Sequence, residues 1–434
     1  MQYTRQLEEK YNVDVFVAGG GAAGIAAAVA AARQGKKVFL AEATGVLGGL
    51  GTTGLVPAFA QFDDGKDFIA AGIGFEIRKN VSKHIPLTRH FSSIDAEELK
   101  REYDRILTES GVKFTFFTTV CDVITNGDRI ESVVLFSKSG MFTVKAKIYI
   151  DCTGDGDVCA LGGGEFELGD ENNAVMSQTL CSLWANIEED RIVHLPPNRH
   201  IEQAYKDGVL TYEDRHLPGM FMGGYGENTG IGGGNIGHTF NINPLDEESL
   251  TEAMIWGRKS MLEYEKYFKN YLEGYENMKL CTTSSVLGVR ESRRIVCDYM
   301  LNVQDFINRS VFEDEIGRYC YPVDIHVMNT DKDEYERFMG EHMGLRYSSG
   351  ESYGIPYRCI VPVSFSNVLV AGRCIGADRQ MQSSIRVMPG CFLTGQAAGV
   401  AASLATDSED VRKVDIKELQ QNLIKLGAYL PNAQ

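Results

Sequence analysis

Apolar and polar positions fall into two regimes along this chain of 434 residues. Val13 to Ala18 is a short, nearly unbroken apolar run, the pattern of a parallel strand buried on both faces. Ala22 to Gln34 is alanine-rich and ends at Gly35, which predicts a helix closed by a glycine. Lys37 to Glu42 is a second apolar run, so the opening predicts a βαβ unit of about thirty residues. From Asp95 to Ser110, Leu99, Tyr103, Ile106 and Leu107 recur at helical spacing. Beyond them come FTFFTTVCDVIT, a turn at Asn126 and Gly127, RIESVVLF, a turn at Ser139 and Gly140, and MFTVKAKIYIDC. That alternation predicts a three-stranded β-meander.

Residues from about 165 to 365 are less regular. They hold a glycine-rich segment over 218–237 and a predicted long helix from about Leu250 to Leu272. SNVLVAG then returns to buried-strand character, and Cys391 to Leu404 predicts another helix of small residues. The two ends therefore resemble each other and differ from the middle. This predicts an α/β fold in which a discontinuous domain, 1–165 and 365–434, carries an inserted domain over 166–364.

Composition narrows the partners. Hydrophobic residues make up 44% and charged residues 24%, which excludes a disordered, collagen-like or coiled-coil chain. With 43 Lys and Arg against 59 Asp and Glu, the formal charge of −16 repels phosphate backbones and excludes nucleic acid as a partner. The ten cysteines form no CxxC and no paired cluster, so they predict scattered free thiols and no metal centre. The polar start MQYTRQLEEKYN and the short apolar run from Ala22 to Ala32 predict a cytoplasmic protein without a membrane span.

The sharpest motif is Gly19-Gly20-Gly21-Ala22-Ala23-Gly24, a GxGxxG between a predicted strand and a predicted helix. Gly19 permits the tight turn, Gly21 a close backbone approach to a pyrophosphate, and Gly24 close packing of helix on strand. The helix start offers unpaired N–H groups to phosphate. Glu42 ends the next strand, where a carboxylate accepts from both ribose hydroxyls and repels a 2′-phosphate. Gly232, Gly234 and Gly237 repeat the spacing without a flanking strand or helix, and predict a mobile loop near a substrate. The fingerprint alone leaves FAD and NAD open, and with NAD an NAD-dependent dehydrogenase.

Five blocks run through nearly the whole chain. They are VFVAGGGAAGIAAAVAAARQGKKVFLAEA, GVLGGLGTTGLV, the meander with IYIDCTGDGDVCALGG, SNVLVAGRCIGADRQMQSSIRVMPGCFLTGQAAGVAASLA, and SSVLGVRESRRIVCDYML with YPVDIH. In these blocks the sequence resembles the FAD-dependent oxidoreductase family. These are two-dinucleotide-binding-domain flavoproteins, a group that includes fumarate reductase and thiazole-synthesis-type enzymes. Within it, the chain resembles a bacterial group of mostly unassigned substrate.

The resemblance implies a Rossmann-like, glutathione-reductase-type FAD-binding domain with its β-meander and an inserted α+β substrate domain. Gly19, Gly21, Ala22, Ala23, Gly24, Glu42 and Ala43 would hold the adenine half. Gly48 and Gly49 would run along the pyrophosphate, and Thr52 and Thr53 would approach the ribityl chain and ring. Val120 would cover the adenine, and Thr153, Gly154 and Asp155 would lie beside the cofactor. Gly372 and Arg373 would return to the ribityl and pyrophosphate. A helix opening over Met388, Cys391 and Phe392 would face the flavin N1–O2 edge. The loop from Gly45 to Val56 has neither His nor Cys, which implies non-covalent FAD.

The implied reaction passes a hydride between flavin N5 and a small organic substrate (a sugar or hydroxy acid, an enoate, or an amine). His326, Arg290 and Arg386 are the candidate catalytic residues, for a proton or for charge. Arg293 and Arg294 either join them or pair with Glu291 or Asp298 and lock the domains together. His238, Arg346, Tyr347 and Tyr353 are candidates for a pocket rim. An external electron donor or acceptor and a homo-oligomer are expected partners. A flavin-binding or sensor protein without turnover is the other class the sequence leaves open.

Overall fold

The computed structural model describes residues 4, 6–81, 91–193, 199–211, 214, 219–330, 333, 336 and 345–433. It opens with β1 (Glu8–Ala18), α1 (Ala22–Arg33) and β2 (Val38–Ala41), with β1 and β2 parallel from Val15 opposite Val38 to Ala18 opposite Ala41. β1 starts five residues before the apolar run. Glu8 to Asn12 are polar and mostly exposed, and join the sheet by main-chain pairing with the strand Gly140–Asp151. Backbone pairing of that kind leaves no hydrophobic signature.

Seven strands form the main sheet, in the order Lys113–Thr115, β2, β1, Gly140–Asp151, Arg129–Ser137 and Thr119–Asn126, with Val368–Val370 parallel beside the end of Gly140–Asp151. The strands Thr119–Asn126, Arg129–Ser137 and Gly140–Asp151 pair antiparallel in turn. The stretch FTF does not belong to them. Lys113–Thr115 pairs parallel with β2, and the chain breaks at Phe117, whose φ of 51° ends the extended run.

α1 and the helix Met388–Ala405 pack against each other and both against this sheet, and both are made largely of Ala and Gly. A Cβ on Gly395 or Gly399 would lie 2.2 Å from the carbonyl oxygens of Ala23 and Ala27, so only glycine lets the two helices approach this closely. Gly35, with φ +80°, ends α1 in the left-handed region. The buried core here also takes Ile295, Leu301, Tyr319, Tyr353 and Ile360 from the middle of the chain.

A second core gathers Trp184, Ile236, Met261, Tyr264, Phe268 and Met278. It lies under a four-stranded antiparallel sheet, ordered Met220–Met222, Gly232–Gly234, Ser182–Ala185 and Lys279–Thr283, and under the helix Glu247–Tyr271. The helix begins three residues before the predicted Leu250, because Asp246 accepts from the N–H of Ser249 at 2.8 Å and caps it. The predicted mobile loop at Gly232 and Gly234 is instead a buried strand. A Cβ on Gly233 would lie 2.3 Å from Cβ of Pro57, so these glycines serve close packing. All ten cysteines are free thiols. No single helix among the described residues is long and apolar enough to cross a membrane.

Candidate active site

A cavity of about 460 Å³ opens where β1 meets α1, a size usual for small-molecule and cofactor sites. Its floor is the first glycine turn. Gly19 has φ +92°, and a Cβ there would lie 2.5 Å from the carbonyl oxygen of Cys152. Gly21, the N-cap of α1, has open space where its Cβ would be, so main-chain N–H groups face the cavity directly. Gly24 does not line the cavity. A Cβ there would lie 1.8 Å from the oxygen of Gly19, so it joins helix to turn.

Glu42 lines the cavity and also ties its walls together. One carboxylate oxygen accepts from the N–H of Gly20 at 2.8 Å, the other from the N–H and hydroxyl of Thr44 at 2.7 Å each. Gly48 and Gly49, both at positive φ, bring a second loop over Gly21. Asp151, wholly buried, accepts from the N–H and hydroxyl of Thr153 and from the N–H of Cys159, and so shapes the turn that carries Thr153, Gly154 and Asp155. Arg373 donates to Asp155 at 2.9 Å and to the Ser292 hydroxyl.

The cavity thus gathers Gly19, Gly21, Ala22, Ala23, Glu42 and Ala43 with Gly48, Gly49, Thr53 and Val120. Thr153, Gly154, Asp155, Gly372, Arg373, Arg386, Met388 and Cys391 complete the predicted set that lines it. Thr52 and Phe392 do not. The Thr52 hydroxyl donates to the carbonyl of Leu47 at 2.6 Å, and Phe392 packs among Phe59, Phe62 and Gly74. Two lining residues keep buried polar atoms without a partner, Thr53 Oγ1 and Arg386 Nε.

At the far end the wall turns apolar, with Pro244, Leu250, Val286, Leu287 and Val289, none of them marked by a motif. Arg386 enters here from a 92° bend between the helices Arg379–Ile385 and Met388–Ala405. It donates to the carbonyl of Asp324 at 2.9 Å and to its carboxylate at 3.3 Å. Arg290 and His326 lie behind this wall, outside the lining. Arg290 donates to the carbonyl of Ser177 at 3.0 Å, to the Thr179 hydroxyl at 2.8 Å and to Asn235 at 3.5 Å. Among the described residues it forms no ion pair with a carboxylate. Burial, reinforced by the nearby Arg386 cation, pushes its guanidinium down to about 10, so it stays charged at neutral pH.

His326 is buried, with Nδ1 2.9 Å from Nε2 of His238 and Nε2 3.6 Å from Asp324. Burial, with the Arg290 charge, pushes its imidazole well below the ordinary range. Burial opposes ionisation of Asp324, but His326, Arg386 and Arg290 outweigh it and hold its carboxyl below the usual carboxylate range. His238 also bonds Asp214, a residue no motif marks.

The remaining arginines of the fifth block pair with acids. Arg294 meets Glu291 at 2.8 Å, while Arg293 meets Asp157 at 2.9 Å; Asp298 is taken by Arg412. The rim reading fails for Tyr347 and Tyr353. Tyr347 stacks on Phe306 at 4.0 Å, and Tyr353 is fully buried with its hydroxyl on Ser384. Arg346 is exposed and His238 is buried.

Among solved structures, a geranylgeranyl bacteriochlorophyll reductase-like protein from Thermoplasma acidophilum is 12% identical over 96% of this chain and 83% of its own, with a TM-score of 0.47. The p-nitrophenol 4-monooxygenase PnpA from Pseudomonas putida DLL-E4 is 10% identical over 96% and 84%, with a TM-score of 0.42. The flavin-dependent brominase Bmp2 is 12% identical over 93% and 81%, with a TM-score of 0.45. No curated protein matches the chain. The family model described as FAD dependent oxidoreductase matches residues 14–423, nearly the full length. The chain belongs to the FAD-dependent oxidoreductase family, and its cofactor is FAD.

Proposed function

We propose that this oxidoreductase exchanges a hydride with a small polar or anionic organic substrate, bound at the apolar end of the cavity beside Arg386. When bound, FAD supplies the two-electron redox chemistry. The residues present fit that cofactor. Open space above Gly21, main-chain N–H groups at the start of α1, and the unpartnered Thr53 hydroxyl all meet the cavity. Gly19, Glu42, Gly48, Gly49, Thr153, Gly372 and Met388 would hold it.

A non-covalent link is part of the proposal. The thiols lining the cavity are Cys152 and Cys391, and burial pushes Cys391 up to about 12 and Cys152 well above the ordinary thiol range. Both remain thiols, which are poor nucleophiles.

One observation carries the substrate reading. Arg290 is a buried cation held by neutral oxygens, and Arg386 beside it keeps a buried N–H unpartnered. Uncompensated buried charge is costly, so its retention supports an electron-rich or anionic group on the substrate. His326, with Nε2 3.6 Å from Asp324, is the neighbouring group able to exchange a proton.

Anaerobic holoprotein challenged with hydroxy acids, sugars and amines, followed by flavin bleaching, tests this. Dithionite-reduced protein challenged with enoates tests the reverse direction. Bleaching or reoxidation by one class, lost in Arg290→Met, supports the proposal. A flavin that no class reduces or reoxidises overturns it.

A further inference from the structure

The apolar end of the cavity presents carbon and little else. Leu250, Leu287 and Val289 belong to a small third core with Leu180 and Ala253. Gly257 lets that core close, since a Cβ there would lie 2.8 Å from Cβ of Leu180. The main chain behind these side chains is already engaged. The carbonyl of Val286 accepts from the Ser284 hydroxyl at 2.9 Å, and that of Leu287 from the N–H of Val289 at 2.9 Å. Gly288 exchanges both its main-chain groups with Thr179. Pro244 has no N–H, and the N–H of Leu250 donates to the carbonyl of Asp246 at 2.9 Å. The N–H of Ser285 donates to the carbonyl of Thr53 at 3.1 Å, which ties this wall to the loop that carries Gly48 and Gly49.

Polar recognition at this end therefore falls to Arg386. Its side chain is nine-tenths buried and lines the cavity. Nη2 is spent on the carbonyl and carboxylate of Asp324, while the buried Nε–H has no partner. Apart from the Thr53 hydroxyl, it is the buried side-chain polar atom of the lining left unpartnered among the described residues. A donor on a cation is met most strongly by an anionic oxygen. Arg290, next in the chain after Val289, adds a second positive charge behind the wall.

We infer that the substrate is a monocarboxylic acid with a hydrocarbon body, its carboxylate on Arg386 Nε–H and its body against Leu250, Val286, Leu287 and Val289. This rests on the proposed function for the place of the substrate and narrows its class. A sugar would bury several hydroxyls against carbon without bonds, and a dicarboxylate would bury its second charge there. A simple amine would bring an ammonium beside two guanidinium cations.

Oxidised holoprotein titrated with saturated acids, which lack the hydroxyl, amine or double bond needed for reaction, reads recognition without turnover. The readouts are the shift of the flavin spectrum and the rise in melting temperature. Butanoate, hexanoate and octanoate should bind progressively tighter, by about 3-fold for each methylene the wall covers. Hexanamide, similar in shape but neutral, should bind roughly 10-fold weaker than hexanoate, and adipate and gluconate weaker still. Arg386→Met should erase the preference for hexanoate over hexanamide and keep the dependence on chain length. Leu250→Ser and Val286→Thr should do the reverse. Should Arg386→Met fail to fold, Arg386→Lys keeps a charge without the Nε–H and should still narrow the preference. Acid and amide that bind alike, or affinity that does not rise with chain length, overturn the inference. So does an Arg386→Met protein that loses FAD affinity while its preference for hexanoate persists, because Arg386 then serves the flavin. Graded acid binding in a protein whose flavin no class reduces or reoxidises supports the recognition and overturns the proposed reaction. Turnover of a sugar or amine without binding of the acid series does the opposite.

Discussion

At the dinucleotide end of the cavity the chain meets its ligand with backbone. Gly19 and Gly21 leave no side chain between the turn and the space above it; main-chain atoms fill the Cβ places of Gly19 and Gly24, while that of Gly21 is open. At the apolar end the chain meets its ligand with buried charge. Arg290, Asp324, Arg386 and the pair His238 and His326 come from four separated segments and are held by one another or by neutral oxygens, with Arg386 Nε left over. A cradle of glycines is rigid and indifferent to pH. A cluster of buried titratable groups stores unmet electrostatic demand, which is what a substrate or proton can discharge.

The comparison breaks first at Gly24. A valine there places its Cβ 1.8 Å from the Gly19 oxygen, and no rotamer moves a Cβ. Gly24→Val should cost about 3 kcal/mol or more and yield protein without bound FAD. Thermal unfolding and the flavin-to-protein absorbance ratio measure both losses. A yellow, normally stable variant would show that the turn is far more pliant than its spacing implies.

Arg290→Met separates binding from stability at the other end. Removing a buried cation without a carboxylate partner should leave the melting temperature unchanged or higher. Loss of its positive charge from behind the substrate end of the cavity should lower kcat/KM by roughly 10²-fold, about 3 kcal/mol. Parallel losses of stability and activity would instead make Arg290 a structural residue that ties Ser177, Thr179 and Asn235 together.

The two ends also differ in how far they could be read from sequence. The glycine turn, Glu42 and the loop at Gly48 and Gly49 are local, with their meaning contained in short spacings, and they line the cavity. Thr52 and Thr53 show the limit. One hydroxyl points to Leu47 and the other to the cavity, and adjacent identical residues carry no signal of which is which. Asp214 sits in a polar stretch with no motif, and reaches His238 only because the second core folds under the helix Glu247–Tyr271. Val286, Leu287 and Val289 look like any apolar run. The first five residues of β1 escaped for a related reason, since main-chain pairing and the single ring of Tyr11 stacked on Phe39 hold them. Gly232 to Gly234 misled because glycine permits both a mobile loop and a strand pressed against Pro57, and only the neighbour decides.

His326 gives a smaller effect with a definite sign. Its folded-state affinity for protons is lowered by burial and Arg290, from an unfolded value of about 6.5. The unfolded chain therefore binds more protons in the acid range, and stability is present above about pH 6.5 and lost as pH falls toward the folded value. kcat/KM for substrate oxidation should fall over the same range, as the imidazole becomes protonated. In His326→Gln the acid-side drop in melting temperature should shrink. An unchanged melting profile across that range would assign the acid sensitivity to other groups.

Thr53→Val is the finest of these tests, because it exchanges one oxygen for one carbon in the cavity wall. Thr53 Oγ1 is buried and unpartnered without a ligand, so valine should stabilise the apoprotein by about 1 kcal/mol. If the hydroxyl bonds a flavin heteroatom, the same change weakens FAD binding about 5–10-fold, and the melting temperatures of apo and holo forms move in opposite directions. Two forms that shift together would mean that Thr53 is only wall. The glycine cradle would then hold the cofactor without hydroxyl help, and the contrast between a backbone-built end and a side-chain-built end would hold up to the edge of Arg386.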